Sequence, residues 1–120
     1  MNVEPAVGEN TVESPFPTFP VAGVQQLLAA LADPVRLEMV RRLMNSGGPM
    51  VCSALYDGIN KSTATHHFTI LREAGITERL AIDGHTVLRL RVEPVEAEVP
   101  GLLGSIVGKA NREVSARADS

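Results

Sequence analysis

The hydrophobic period of this chain changes once, near residue 75, and that change limits the folds open to it. Before that point apolar residues recur at helical spacing; after it they alternate. Val24, Leu27, Leu28 and Leu31 follow i, i+3, i+4, i+7 and predict a helix over 21–32. Asp33 and Pro34 then supply an N-cap and a first helical residue. A second helix is expected over 34–45, with Leu37, Val40, Leu43 and Met44 inward, until Gly47-Gly48-Pro49 breaks the chain. A short helix over 51–57, burying Val51, Ala54 and Leu55, and a helix over 61–74, burying Ala64, Phe68 and Leu71, flank the three-residue turn Gly58-Ile59-Asn60. Gly58 suits a positive φ, Asn60 suits a cap, and Gly75 is the expected C-cap.

Beyond residue 75, Leu80 and Ile82, then Leu88, Leu90 and Val92, alternate with Arg79, Ala81, Arg89 and Arg91. This predicts a β-hairpin around Asp83-Gly84. A two-residue turn would pair even positions with odd ones and split Leu80 from Leu88, so an odd-length loop is expected. A last helix opens at Pro100 and carries Leu102, Leu103, Ile106, Val107 and Val114 on one side, weakened by Gly104 and Gly108. The order α-α-α-α-β-β-α is mainly α with a small hairpin (α+β), a winged helix-turn-helix. Residues 1–20, with four prolines and no apolar period, are expected to be a disordered extension. Residues 21–115 are expected to form one domain, and 116–120 a frayed tail.

Aromatic residues make up only 3% of the chain, so its core must be aliphatic. A small aliphatic core stabilises a lone protomer modestly, and dimerisation would bury more. The net charge of −3 is unevenly spread. Residues 21–92 hold eight basic and six acidic groups, net +2, while 1–20 carry −3 and 93–120 carry −2. A mildly basic middle predicts few phosphate contacts. No apolar run approaches the ~18 residues of a membrane span, and no secretory leader is visible. The single cysteine, Cys52, cannot form an internal disulfide. These features predict a cytoplasmic protein.

Two helices joined by a tight turn and followed by a hairpin place the second helix in a DNA major groove. With Ala64, Phe68 and Leu71 inward, Ser62, Thr65, His66 and Thr69 face outward as short hydrogen-bonding groups suited to base edges. Lys61 and Arg72 suit phosphates, and Arg79, Arg89 and Arg91 lie on the wing. A solvated helix face, or a winged helix that binds protein, would show the same polarity. The carboxylates are scattered, no phosphate loop is present and Cys52 lacks an obvious base, so catalysis is not expected.

The stretches Ala30-Leu-Ala-Asp-Pro-Val-Arg-Leu37 and Lys61-Ser-Thr-Ala-Thr-His-His-Phe-Thr-Ile-Leu-Arg-Glu-Ala-Gly75 resemble the ArsR/SmtB family of bacterial repressors. The resemblance spans residues 22–92. It implies a homodimer joined by its first and last helices, which bear Val24, Leu27, Leu28, Leu103, Ile106 and Val107. It also implies that Ser62, Thr63, Thr65 and His66 occupy DNA-reading positions, on an operator expected to be an inverted repeat. The family's metal-sensing Cys-x-Cys pair is here Met50-Val51-Cys52, and the last helix has no His, Asp or Cys between Leu102 and Val114. Neither usual metal site is therefore expected, and no cofactor is predicted. Nickel or zinc at the surface histidines is the lesser reading, because adjacent helical residues such as His66 and His67 point ~100° apart. Cys52 reads first as a small buried hydrophobe and second as a redox thiol near a helix N-terminus. The alternatives kept open are a protein-interaction module, a DNA-binding subunit controlled by a partner protein, and a repressor with an organic inducer at the dimer interface.

Overall fold

The computed structural model describes residues 12–13 and 16–119, and the period change falls where the sequence places it. A two-residue strand β1 (Val12–Glu13) precedes α1 (Val24–Ala32) and α2 (Pro34–Ser46). Then come β2 (Met50–Val51), a 3-10 turn (Cys52–Leu55) and α3 (Lys61–Glu73). The hairpin β3 (Thr77–Ile82) and β4 (His85–Leu90) leads into α4 (Val92–Glu98) and α5 (Leu102–Ala118). All strands are antiparallel, in the order β1-β3-β4-β2. The main core lies between the helices and one face of this sheet, built from Leu27, Met39, Val40, Leu43, Leu71, Ile76, Leu88 and Leu103 among others.

Local chemistry sets the helix boundaries. Asp33 accepts the N–H groups of Val35 (2.8 Å) and Arg36 (3.1 Å), and Pro34 occupies the first turn of α2, where no donor is needed. Burial pushes the Asp33 carboxyl up, but those N–H groups and the charge of Arg36 more than offset it and lower its pKa. Gly47 at φ +73 closes α2. At the N-terminus of α5, Gly101 has no side chain to cap with; Glu96 of α4 substitutes, accepting from the N–H groups of Gly101 and Leu103. Asn45 and Asn111 exchange a reciprocal pair of 3.0 Å hydrogen bonds that clamp α2 to α5.

The structure departs from the sequence expectation in several places. The expected helix over 51–57 is a strand and a 3-10 turn, because Met50 and Val51 pair with Leu88 and Val87 of β4. The hairpin turn has two residues, with Asp83 (φ 51) and Gly84 (φ 81) both left-handed and Ile82 opposite His85. Leu80 and Leu88 do lie on opposite faces, and both are buried because both faces of the hairpin are covered. The helix α4 was hidden by its length and by Pro94 in its first turn; only Val95 of it is fully buried. Residues of the N-terminal extension are attached to the fold: β1 pairs Val12 with Ile82 and Glu13 with Ala81, and Phe16 and Phe19 make side-chain and carbonyl contacts described below. Residues 1–11, 14 and 15 lie outside the described residues. Finally, Leu27, Leu103 and Val107, assigned by resemblance to a dimer face, are 1%, 0% and 3% exposed within the protomer. They serve its own core, against α2, whereas Val24 and Leu28 remain exposed and Ile106 half-exposed.

The junction after α3 tolerates no side chain. Gly75 has φ +79, and a Cβ there would sit 2.3 Å from the Pro20 carbonyl oxygen. Gly75→Ala should therefore cost roughly 2–4 kcal/mol in urea denaturation, through strain and overpacking together; a loss below that of an ordinary surface substitution would contradict this packing. A second network joins α2 to the segment after the 3-10 turn. Glu38 accepts from Arg41 and Arg42 at 2.8 Å, and Arg42 also reaches Asp57 at 2.7 Å. The hydrogen bond from Arg41, working against burial and helped by Arg42, lowers the Glu38 pKa from 4.5 to about 2. A carboxylate with a depressed folded pKa stabilises above its unfolded pKa and loses that contribution as pH falls through the folded one. Glu38→Gln should thus be less stable by about 1 kcal/mol near neutral pH, allowing for solvent screening. The gap should close between pH 4.5 and about 2. A gap independent of pH in urea melts would rule this out.

Candidate nucleic-acid interface

The helix α3 starts where it does because the Asn60 side chain accepts the Thr63 N–H at 2.8 Å and Gly58, at φ +75, makes the turn before it. Its inner face buries Ala64, Phe68 and Leu71. Phe68 meets Tyr56 edge-on, with centroids 6.0 Å apart, which braces α3 against the 3-10 turn. On the other side, the Arg36 guanidinium lies 3.0 Å from Nδ1 of His67 and also donates to the Ala30 carbonyl. Asp33 is 3.8 Å from the same ring nitrogen. The N-terminal cap of α2 and the middle of α3 are thereby locked in register.

This bracing leaves Lys61, Ser62, Thr63, Thr65 and His66 exposed, with Thr69 and Arg72 half-buried beside the wing. His66 and His67 part company as the helical geometry requires: one is solvent-facing, the other a packed anchor. Among the described residues, no group of three or more His, Cys, Asp or Glu could hold a metal ion.

The three wing arginines separate. Arg79 lies on the hairpin face shared with Leu88, turned toward α3, with its guanidinium 4.4 Å from the centroid of the Phe16 ring. Arg89 pairs across the strands with Glu78 on the opposite face and makes a 2.8 Å ion pair with it. Arg91 corrects the sequence assignment. Its guanidinium is held inside the fold, donating to the carbonyls of Phe19 (2.6 Å) and Gly75 (2.9 Å). No sequence pattern distinguished it from Arg89, two residues earlier; what sets it apart is the N-terminal segment folding back onto the end of α3.

Cys52 is half-buried beside Lys61 and Arg79. Burial pushes its thiol pKa up by more than those two charges lower it, so the thiolate that redox chemistry requires is disfavoured near neutral pH. The arrangement as a whole presents hydroxyl, imidazole and cationic groups along one face of a rigidly held helix, flanked by a hairpin.

Comparisons with known proteins agree with this geometry. A helix-turn-helix domain family model matches residues 31–79, from the end of α1 to the start of the wing. An uncharacterized HTH-type transcriptional regulator, YceK of Bacillus subtilis (strain 168), is 34% identical over 83 residues, covering 68% of this chain and 83% of that protein. The crystal structure of the transcriptional repressor BigR from Xylella fastidiosa superposes with a TM-score of 0.55 at 30% identity, over 69% of this chain and 81% of that one.

Thr65 and His66 contribute nothing to the core, so their joint replacement separates reading from folding. Thr65→Ala/His66→Ala should lower affinity for a specific duplex by about tenfold or more, while stability shifts by no more than about 0.5 kcal/mol. Undiminished specific affinity in the folded double variant would remove these side chains from the interface.

Proposed function

Because this chain belongs to the winged helix-turn-helix transcriptional regulators of the ArsR/SmtB type, we propose that it acts as a homodimeric, sequence-specific repressor in the cytoplasm. The observation that carries the reading is the outer face of α3. Five exposed groups capable of contacting bases or phosphates, Lys61 to His66, are held on a helix fixed at its cap by Asn60, at its middle by His67–Arg36 and at its core face by Phe68. A recognition helix needs such preorganisation, since its early residues must meet base edges within hydrogen-bond distance.

The operator is an inverted repeat, matching a two-fold dimer whose recognition helices lie roughly 34 Å or a multiple apart. The dimer face is formed by the exposed Val24 and Leu28 of α1 with Ile106 of α5. Val24 (59% exposed) and Leu28 (50%) are large apolar side chains left uncovered in the protomer. Regulation does not use the family's usual Cys-x-Cys metal-sensing site. The absence of a Cys-x-Cys pair at Met50-Val51-Cys52 supports this.

Fluorescence anisotropy against duplex DNA from the protein's own promoter tests the reading. Selective binding that weakens steeply with salt is expected; binding that fails to distinguish promoter from unrelated duplex would contradict it. Val24→Glu/Leu28→Glu should sediment as a folded monomer with weaker operator binding, whereas a persisting dimer would place the interface elsewhere.

A further inference from the structure

Between α3 and the wing lies a groove of about 470 Å³, within the roughly 300–1,000 Å³ of small-molecule sites. Lys61 and Arg72 line it, with Arg79 engaged by the Phe16 ring, and among the described lining residues there is no Asp or Glu. Its apolar walls come from Tyr56, Phe68 and Leu88. Arg72 supplies an independent sign of a missing partner: its Nε is shielded from solvent and donates to no acceptor among the described residues. A buried guanidinium N–H without an acceptor is costly, and a carboxylate is the acceptor whose geometry suits it.

We propose that this groove binds a small aromatic carboxylate, its charged end at Arg72 and its ring against Phe68 and Tyr56, and that occupancy excludes the DNA backbone from α3. A monoanion with an apolar body suits this lining better than inorganic phosphate. The ring gains contact area on the aromatic wall, while a multiply charged, strongly hydrated ion would lose water to that wall without compensation. Thr65 and Thr69 also border the groove, so a bound ligand occupies the side of α3 that the operator must approach. Only this last consequence rests on the DNA-binding reading; ligand binding is measured without DNA.

The test is titration of the ¹⁵N-labelled full chain with benzoate and indole-3-carboxylate, with inorganic phosphate at matched ionic strength as control. At least one carboxylate should give saturable shifts confined to amides near Cys52, Thr65, Thr69 and Thr86. Arg72→Gln should weaken that binding by about tenfold or more. The exposed Lys61→Ala should weaken it to a smaller extent, and it decides between the outcomes if Arg72→Gln perturbs folding. The same ligand should lower operator affinity in anisotropy. No saturable shift with either carboxylate, shifts elsewhere, an equal response to phosphate, or indifference to both variants would overturn the site. A ligand that seats in the groove and leaves operator affinity unchanged would overturn the exclusion. Failure of the ligand-free protein to select its operator would instead count against the proposed function, with groove occupancy still read from the spectra.

Discussion

Helix α3, the hairpin and the N-terminal segment meet at one knot of hydrogen bonds around Gly75, and the placement of the outer face of α3 depends on it. The Arg91 guanidinium donates to the carbonyls of Phe19 and Gly75, while its own N–H donates to Ile76 at 2.8 Å. The Ala22 N–H reaches the Ala74 carbonyl at 3.0 Å. Four segments thus converge: the lead into α1, the end of α3, and both strands of the hairpin at their base. A left-handed glycine is the only residue that lets the Pro20 backbone approach so closely. Charge-assisted hydrogen bonds to carbonyls at such a part-buried site are stronger than neutral ones, so Arg91 ties the end of α3 firmly to the base of the wing.

A chain with net charge −3 can still present a locally cationic surface. Three of the described acidic residues are paired away from the groove: Glu38 and Asp57 are neutralised by arginines on the α2 side, and Glu78 pairs with Arg89 on the outer face of the hairpin. Lys61 and Arg72 border one cleft in which no Asp or Glu appears among the described lining residues. Local arrangement, rather than the total, determines the potential a nucleic acid or a small anion meets.

Much of this was legible in the sequence, for identifiable reasons. Strong local signals held: Asp33-Pro34 starts α2, Asn60 caps α3, and Ala64, Phe68 and Leu71 face inward. These depend on neighbours within a turn or two. What failed depended on partners distant in sequence. Val51 became a strand residue because β4 was there to pair with it. The hairpin turn was misjudged because Leu80 and Leu88 were assumed to share a face, whereas both faces are covered. Arg91 read as a wing cation until the N-terminal segment folded back onto it, and Leu103 and Val107 read as a free stripe until α2 covered them. An apolar stripe shows that a face is buried without saying against what.

On the proposed reading, the outer face of α3 and the wing, held in register by the Arg91–Gly75 knot, form the DNA-contacting surface. Chemical-shift mapping of the labelled protein with a selectively bound duplex tests it most directly. The account predicts that perturbations concentrate in Lys61–Thr69 and at the Asp83–His85 turn, leaving α4 and the Glu78–Arg89 face of the hairpin unchanged. A map centred on that opposite face or on α4, with α3 undisturbed, would contradict it.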